Sequence, residues 1–419
     1  MNKELFIENR KKYLKKCVDK SLSVFFSGQV IQKSADQDYD FEVEKNFYYL
    51  TGINQDNVIL AILKNGDYVQ ETLFIEKNDA ILVKWVGKKL EIEEAIAISG
   101  IKNVYYLESF EGFIHGAFNN TRYTAYDLKY LSLNLERRNQ ESYTNPALEY
   151  AKIFKNKYPN INILNAYDLV IGLRMVKSDE EISLIQESIK TTKSALEAIL
   201  KNSRPGIYEY QLESYFDNYI KYHGQKDLAF KTIAAGGKNA TILHYSRNNT
   251  LLNNDEMILF DLGCRTNFYI SDITRTYPIN GKFTKRQKEV YQAVLDVNKK
   301  CIEYLKPGVT WEEYNNYAKE LLTQACIDLG LIKEPKELIK YYFHSIGHFI
   351  GLDTHDPGLH SYPLQAGMVV TVEPGLYIEE EGIGVRIEDD VLITENGSIN
   401  LSKDIIKEID EIEKFMAAK

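Results

Sequence analysis

The chain is poor in the features that would mark it as secreted, membrane-bound or nucleic-acid-binding. It has only four cysteines in 419 residues, at positions 17, 264, 301 and 326, too dispersed for a disulfide framework or a zinc ribbon. No uninterrupted apolar run approaches the ~20 residues of a membrane span, and the charged first residues lack the apolar core of a signal peptide. With 51 basic against 60 acidic residues and a net charge of −9, the chain has no basic surplus for nucleic acid. We therefore expect a reduced, cytoplasmic protein that binds neither nucleic acid nor membrane.

What the chain does contain is typical of a globular protein with two or three domains. Its hydrophobic content is 44% and its charged content 26%. Strand-like runs alternate with helical ones in the first part, which predicts a separate α/β domain. Near Met175 a capping box, Ser178 to Glu181, begins a long amphipathic helix. We assign residues 1–172 to the amino-terminal domain and residues 173–419 to a second domain.

The second domain contains a weak internal repeat. Arg-Pro-Gly-Ile at residues 204–207 recurs 102 residues later as Lys-Pro-Gly-Val at residues 306–309. Each copy follows a predicted long helix, residues 179–201 and 285–305, and precedes another helix and a strand-rich acidic segment. The pattern predicts two related halves around one site. The alternative is chance, because Pro-Gly is common after helices.

The first acidic segment, residues 256–276, reads as a hairpin with two aspartates. Four apolar residues, 257–260, indicate a buried strand that ends at Asp261. If the turn is centred on Thr266 and Asn267, Asp261 and Asp272 oppose each other with Cβ atoms about 5 Å apart. Two carboxylates that close repel unless a cation lies between them, which suits a site for two metal ions. The alternative is a pair of ordinary loop aspartates.

The second acidic segment, residues 371–390, repeats this pattern with glutamates. A turn centred between residues 380 and 381 places Glu373 opposite Glu388, and Arg386 shares the face of Glu388. The alternative, an exposed acidic hairpin, explains residues 379–381 well. It explains poorly two glutamates set among the apolar residues of predicted strands.

Between the acidic segments lies a histidine cluster in the sequence FHSIGHFIGLDTHD, residues 343–356. His344 and His348 have the spacing of a zincin helix, but Ser345 replaces the zincin glutamate and Gly347 disfavours a helix. We therefore expect ligand and proton-transfer roles without zincin chemistry. His244 joins this set only by its position ahead of the first aspartate strand, and the remaining histidines are interpreted as ordinary surface or loop residues: His115, His223 and His360.

These motifs, in this order, resemble those of the pita-bread metallopeptidases, a family that includes aminopeptidase P, prolidase and methionine aminopeptidase. The resemblance covers the chain from about residue 176 to its end. Residues 46–52, NFYYLTG, and 85–87, WVG, resemble the amino-terminal domain of aminopeptidase P and prolidase, which methionine aminopeptidases lack. The resemblance implies an α/β amino-terminal domain followed by an α+β pita-bread catalytic domain with a pseudo-two-fold internal duplication.

The resemblance also implies a metal centre. Two divalent ions are expected, Mn²⁺ first and Zn²⁺ or Co²⁺ as alternatives, and oxygen-rich ligation with one imidazole suits manganese. Asp272 and Glu388 are expected to bridge both ions, Asp261 to bind one ion, and His348 and Glu373 to bind the other.

The same resemblance implies a reaction, hydrolysis of the N-terminal peptide bond that precedes proline. Water between the two ions becomes the nucleophile as hydroxide. Glu373 is the expected proton acceptor, and the other catalytic residues are expected to be His355, His244 and Arg386. Substrate contacts are expected from His244, His344, His355, Tyr377 and Arg386. The prolyl nitrogen has no N–H, so recognition must come from the shape of the ring.

Three functions follow in order of expectation. The first is a Xaa-Pro aminopeptidase, the second a prolidase restricted to Xaa-Pro dipeptides, and the third, more remote, a binding module without activity. A metal-free hydrolase is disfavoured because all five expected ligands are present. The resemblance further implies a homodimer or homotetramer, in which Trp85 is the residue we would inspect for a contribution to a neighbour's site.

Overall fold

The computed structural model describes residues 2–119, 126–137, 145–225 and 227–418. The chain forms two compact units, Met1–Arg174 and Met175–Lys419. The boundary predicted between residues 172 and 173 lies two residues before this division, within the last helix of the first unit.

The first unit contains seven α-helices and eight strands among its described residues. In chain order they are α1 (Lys3–Lys16), β1 (Ser21–Phe26), β2 (Gln32–Ser34), β3 (Gln37–Asp38), α2 (Lys45–Thr51), β4 (Ile59–Asn65), β5 (Tyr68–Ile75), α3 (Leu82–Val86), α4 (Ile92–Ser99), β6 (Asn103–Tyr106), α5 (Phe110–Phe118), β7 (Tyr130–Leu133), α6 (Pro146–Lys157), β8 (Asn162–Asn165) and α7 (Tyr167–Arg174).

A mixed six-stranded sheet in the order β6-β5-β4-β1-β7-β8 forms the centre of this unit. β1 pairs antiparallel with β4 and parallel with β7, and both of its faces are buried. On one face, Leu22 and Val24 join a core with Phe110 of α5 and Phe154 of α6. On the other, Tyr13 of α1 donates a hydrogen bond to Ser23. The sheet is therefore covered on both sides, as the predicted α/β domain requires.

The second unit contains five α-helices and ten strands among its described residues. They are α8 (Asp179–Asn202), α9 (Glu209–Tyr222), β9 (Ile233–Gly236), β10 (Met257–Leu262), β11 (Arg265–Thr266), β12 (Tyr269–Ile270), β13 (Ile273–Pro278), α10 (Lys285–Tyr304), α11 (Trp311–Asp328), β14 (Val369–Val372), β15 (Gly375–Ile378), β16 (Ile383–Arg386), β17 (Asp389–Thr394), β18 (Gly397–Asn400) and α12 (Ile409–Ala417).

The predicted duplication is visible in the order of these elements. In the first half, α8 and α9 pack together and precede a three-stranded sheet, β13-β10-β9, and a hairpin, β11-β12. In the second half, α10 and α11 pack together and precede a three-stranded sheet, β14-β17-β18, and a hairpin, β15-β16. The long helices α8 and α10 both begin at capping boxes, Ser178 with Glu181 and Thr284 with Gln287. Each half is thus a helix pair followed by acidic strands.

The register of the first acidic hairpin differs from the prediction. Asp261 pairs with Thr274, so Asp272 lies diagonally across from Asp261 and not opposite it. The turn is formed by Asn267 and Phe268, which both have positive φ angles, 47° and 69°. The turn is therefore centred one residue later than Thr266 and Asn267, which shifts the partner of each strand residue by two positions. A shift of two keeps both carboxylates on the same face of the hairpin.

The second acidic hairpin has the predicted register. Gly375 pairs with Arg386 in one ladder, and Val372 pairs with Asp389 in the next. Both ladders share one register, which sets Glu373 across from Glu388 in the gap between them.

Candidate metal centre

The five predicted ligands are drawn together from both halves of the second unit. Three of them offer side-chain atoms that all lie within 4.8 Å of one another: Asp272, His348 and Glu388. Glu373 joins this group, because its Oε1 lies 3.5 Å from His348 Nε2, the same distance that separates His348 Nε2 from Asp272 Oδ2. Four of the five predicted ligands therefore surround one small volume.

Asp261 lies beside this group and has one oxygen available. Its Oδ2 accepts a hydrogen bond from Arg386 at 2.7 Å. Its Oδ1 is buried and has no hydrogen-bond partner among the described residues. A buried carboxylate oxygen without a donor costs free energy, and a cation would remove that cost. The donor set of oxygens and one imidazole nitrogen therefore fits divalent ions.

The carboxyl groups are crowded enough to perturb one another. Burial raises the pKa of Asp272 well above its usual value, and Glu388 and Asp261 raise it further. Burial, then Glu373 and Asp261, do the same to the pKa of Glu388. Burial raises the pKa of Glu373 to about 7. Such buried acids of like charge are poorly stable as anions by themselves, and positive charge placed between them would reverse the shifts.

His348 presents one ring nitrogen to this group and uses the other to hold its orientation. Nδ1 lies 3.0 Å from the carbonyl oxygen of Phe349, which can only accept, so Nδ1 carries the proton. The lone pair of Nε2 is then directed at Asp272 and Glu373. Burial lowers the pKa of His348 to about 4, which keeps the ring neutral, as a metal ligand must be.

The segment that carries His348 lies against β14. Thr371 donates its backbone N–H to the His348 carbonyl at 2.9 Å, and Glu373 donates to Ile346 at the same distance. A Cβ on Gly347 would lie 2.1 Å from the carbonyl oxygen of Thr371, so a larger residue would separate the two segments. Residues 344–356, all of them described, contain no helix. The zincin motif lies on a helix, so His344 and His348 are not presented here as they are in that motif.

Thr274 orients two residues of the centre and was not predicted from the sequence. Its hydroxyl donates to Glu388 Oε2 at 2.6 Å and accepts from Arg386 Nε at 3.1 Å. The one available signal was its position two residues after Asp272, on the same face of the strand. Asp390 was missed as well, and its Oδ2 accepts from the backbone N–H of Asp272 at 3.1 Å.

A chain of hydrogen bonds connects Arg386, Tyr377 and His344 beside the carboxylates. Arg386 donates to the Tyr377 oxygen at 3.1 Å, and the Tyr377 hydroxyl lies 2.9 Å from His344 Nε2. His344 Nδ1 lies 2.7 Å from the Ser345 carbonyl, so Nδ1 carries the proton and Nε2 accepts from Tyr377. Burial and the Arg386 charge lower the pKa of His344 to about 4, which makes this neutral arrangement the stable one.

The other two predicted histidines lie at the same site. The His355 ring meets the His348 ring edge-on, with centroids 4.3 Å apart. His244 is exposed, shortly after a 3₁₀ helix at Gly237–Thr241. Burial lowers the pKa of His355, and the nearby His244 lowers it further. All ten predicted site residues thus belong to one region of the second unit.

The acidic tip of the second hairpin, the short 3₁₀ helix Glu379–Glu381, is more than an exposed charged turn. Its first glutamate pairs with Lys238, its second accepts from the Tyr341 hydroxyl at 2.5 Å, and its third pairs with Arg286. These partners belong to the segments that precede His244 and His344 and to α10. The tip therefore connects the hairpin of Tyr377 and Arg386 to two of the histidine-bearing segments.

Comparison with known proteins accounts for this arrangement. Residues 183–395 match the model of metallopeptidase family M24, and residues 6–126 match the aminopeptidase P, N-terminal domain. The first match spans more than half of the chain and includes every predicted site residue. The chain belongs to metallopeptidase family M24.

Curated relatives resemble this chain over nearly all of its length and over most of their own. The Xaa-Pro aminopeptidase of Haemophilus influenzae is 33% identical over 433 residues, which cover 99% of this chain and 97% of that protein. The Xaa-Pro aminopeptidase 3 of Homo sapiens is 34% identical, and the match covers 94% of this chain and 80% of that protein. Both domains are therefore shared, and not the catalytic domain alone.

Solved M24 structures agree with this chain in fold. A protein from Bacillus anthracis superposes with a TM-score of 0.97 at 46% identity, with 100% of this chain and 99% of that chain covered. Aminopeptidase P from E. coli with the inhibitor Pro-Leu superposes with a TM-score of 0.90 at 28% identity, with the same coverage. The predicted architecture, an α/β amino-terminal domain followed by a pita-bread catalytic domain, is confirmed.

Proposed function

We propose that the chain is a Xaa-Pro aminopeptidase that hydrolyses the first peptide bond of chains with proline in second position, using two divalent ions. One observation carries the proposal. Buried carboxylates and one neutral histidine from both halves converge on a small volume. Beside it lies an Asp261 oxygen that has no hydrogen-bond partner within the described part of the chain. Full-length similarity to enzymes named Xaa-Pro aminopeptidases supports the choice of substrate.

The ions would be held by Asp261, Asp272, His348, Glu373 and Glu388. Asp272 and Glu388 would be central to holding both ions, because they come from different halves and both belong to the closest group of ligand atoms. Mn²⁺ suits four carboxylates and one imidazole, and Zn²⁺ or Co²⁺ are the alternatives. The chemistry that bound divalent ions supply is a lowered pKa of water, which provides a nucleophile near neutral pH.

The residues of the chain would supply proton transfer and orientation. Glu373 would accept the proton and pass it to the prolyl nitrogen, because its Oε1 faces the group of ligands and is held by the Thr371 hydroxyl at 3.3 Å. Arg386 would hold Asp261 in its orientation through their 2.7 Å contact. His355 and His244 would donate to the carbonyl oxygen of the scissile bond, where negative charge develops.

Proline would be recognised by shape beside His344 and Tyr377. The Tyr377 hydroxyl is already engaged by Arg386 and His344, so the buried Tyr377 side chain has no free donor to offer. Phe343 is partly exposed and packs against the Tyr377 ring, with centroids 5.3 Å apart. An aromatic pair of this kind suits the pyrrolidine ring, whose nitrogen offers no hydrogen to donate.

Hydrolysis of matched peptides tests the proposal. We would compare an Ala-Pro dipeptide, a pentapeptide that begins Ala-Pro, and the same pentapeptide with alanine in second position, each with Mn²⁺ and with chelator. We expect the first residue to be released from the Ala-Pro pentapeptide in the presence of metal. We expect no release from the pentapeptide with alanine in second position. Cleavage of the dipeptide only would identify a prolidase. Absence of both cleavage and metal binding would identify a binding module.

We also propose that the protein forms a homodimer or homotetramer through its amino-terminal unit. Trp85 is 82% exposed on the short helix α3, and its apolar neighbours Ile81, Leu82 and Val86 are exposed as well. Contiguous apolar surface of this kind marks contact sites. Light scattering of the wild type and of Trp85→Glu tests this. The charged residue should weaken the contact between subunits, so the variant should form assemblies of lower mass. A monomeric wild type would contradict it.

The cellular location stays a prediction. The four cysteines are buried and free, as expected in a reducing compartment. Within the described ranges, the structure has no helix with the length and apolar character needed to cross a membrane.

A further inference from the structure

A buried ion pair lies next to His355 in the second unit. Lys177 Nζ is 3.1 Å from Asp356 Oδ2, and each side chain is only 1% exposed. The two residues are 179 positions apart, and Asp356 follows His355 directly in the chain. His355 itself is exposed, so the chain turns one side chain, His355, toward solvent and the next, Asp356, toward the interior.

The lysine end of the pair is fixed by the backbone on both sides. Lys177 donates its backbone N–H to the Gly367 carbonyl at 2.8 Å, and Val176 forms a bridge with Met368. Gly367 in turn donates to Ile393 of β17 at 2.9 Å. The ammonium group therefore projects from a segment that is tied to the sheet of the second half.

The aspartate end determines the course of the loop that carries His355. Asp356 donates its backbone N–H to the Phe349 carbonyl at 2.9 Å, and its Oδ1 accepts from the Asp353 N–H at 3.2 Å. A Cβ on Gly351 would lie 2.7 Å from Asp356 Oδ2 and 3.1 Å from Lys177 Cε. The loop is therefore built closely around the ion pair.

Stability alone is a weak reason for such a pair. Removing a lysine and an aspartate from water is costly, and apolar replacements of similar volume are often neutral or stabilising. What the pair does provide is a fixed point one residue from His355, whose ring lies against the His348 ring. Lys177 and Asp356 are not among the five predicted ligands.

We propose that the Lys177–Asp356 ion pair is a positioning pair that holds His355 in its orientation beside His348 and so in place for the substrate carbonyl. The inference rests on the proposed function as far as the substrate is concerned. The pair acts through His355 and touches neither substrate nor ion. Its effect on catalysis should therefore disappear when His355 is absent.

A double-mutant cycle tests this dependence. The pair is neutralised with little change of volume as Lys177→Met with Asp356→Asn, in the wild type and in His355→Ala, and kcat and KM are measured on the Ala-Pro pentapeptide. We expect kcat to fall about tenfold to a hundredfold in the wild type, because small misplacement of a catalytic group has effects of this size. In the His355→Ala background we expect less than about a twofold change. Equal losses in the two backgrounds would overturn the proposal.

A matched control and a second variant guard against trivial outcomes. Lys299→Met with Glu408→Gln removes an exposed ion pair of the same unit and should leave kcat unchanged. If the neutralised pair does not fold, Lys177→Arg keeps the buried charge and changes the shape and reach of the group that carries it. Lys177→Arg should lower kcat in the wild type and have little effect on kcat in the His355→Ala background. Equal losses of kcat in the two backgrounds would contradict the proposal.

Chemical labelling gives a readout that does not need activity. Diethyl pyrocarbonate modifies accessible histidines, and peptide mass spectrometry follows His355 with the exposed His223 as internal reference. Neutralising the pair should change the rate of His355 labelling by about twofold or more and leave His223 unchanged. An unchanged His355 rate would refute the positioning role, even in a protein that cleaves no Xaa-Pro peptide. Failure of the proposed function is distinguishable from failure of the positioning role, because it would appear as a wild-type protein that does not cleave the Ala-Pro pentapeptide.

Discussion

At the scale of single residues, His348 and Asp261 share one arrangement. In each, one polar atom of the side chain forms a hydrogen bond that fixes its orientation, and a second polar atom stays available to a ligand. His348 uses Nδ1 for the Phe349 carbonyl and leaves Nε2 toward the carboxylates. Asp261 uses Oδ2 for Arg386 and leaves Oδ1 without a partner among the described residues. Ligands oriented before the ion arrives lose less conformational entropy on binding it. The neutral histidine and the ionised arginine are therefore as much a part of the centre as the carboxylates.

The first prediction concerns the most central carboxylate. Asp272→Ala should lower kcat/KM at least about a hundredfold, because it removes an expected bridging ligand. The fold should persist, since Asp390 accepts from the backbone N–H at position 272, which alanine retains. Peptide hydrolysis and circular dichroism check both parts. Turnover near that of the wild type would contradict the proposal that Asp272 helps to hold two ions.

The second prediction concerns Thr274, which orients Glu388 and Arg386 at once. Thr274→Val keeps the shape and removes the hydroxyl, so Mn²⁺ affinity should fall by roughly tenfold to a hundredfold. Thr274→Ser is the matched control and should bind Mn²⁺ nearly as the wild type does, since it keeps the hydroxyl. Isothermal titration calorimetry measures both. Equal affinities in the valine and serine variants would show that the two hydrogen bonds do not matter.

At the scale of elements, capping boxes and apolar runs predicted helices and strands well, and register was the weak point. Ser178 and Glu181 begin α8 as predicted, because the box satisfies backbone N–H groups within four residues. The turn of the first acidic hairpin was misplaced because Phe268 adopts a positive φ, which is rare for a bulky residue and has no sequence signal. The second hairpin was placed correctly.

Contacts between distant segments were beyond the sequence for a different reason. Arg386 and Asp261 come from different halves, and Lys177 and Asp356 lie 179 positions apart. Local patterns carry no information about such pairs. The resemblance to a family predicted a set of site residues, but it predicted no role for Thr274 or Lys177.

The third prediction tests the close contact between the His348 segment and β14. Gly347→Ala places a Cβ that would lie 2.1 Å from the backbone oxygen of Thr371, which cannot rotate away. The segment must shift, so both the melting temperature and the affinity for Mn²⁺ should fall. Gly397→Ala in β18 is the control, because nothing lies within 4 Å of the added carbon. Similar melting temperatures for the two variants would contradict the tight contact.

At the scale of the whole molecule, the stability of the second unit depends on what neutralises its buried acids. Glu373 has its pKa raised from 4.5 to about 7, first by burial, and the pKa values of Asp272 and Glu388 are raised as well. Between about pH 4.5 and 7 the folded, metal-free protein therefore binds more protons than the unfolded chain. Its free energy of unfolding falls as pH rises through this window, by on the order of 3 kcal/mol for Glu373 alone.

The fourth prediction follows from the opposite pH dependence of metal binding. The ions need ionised carboxylates and neutral His348, so their binding releases protons and tightens as pH rises. Bound ions stabilise the folded state in proportion to the logarithm of their concentration over Kd. The difference in melting temperature between Mn²⁺-loaded and chelated protein should therefore widen from about pH 5.5 to about pH 7.5. Differential scanning calorimetry measures it, and the Asp272→Ala variant, which lacks one of the acids and one of the ligands, should show a smaller difference at every pH. A difference that stays constant with pH in the wild type would mean that these carboxylates do not hold the ions.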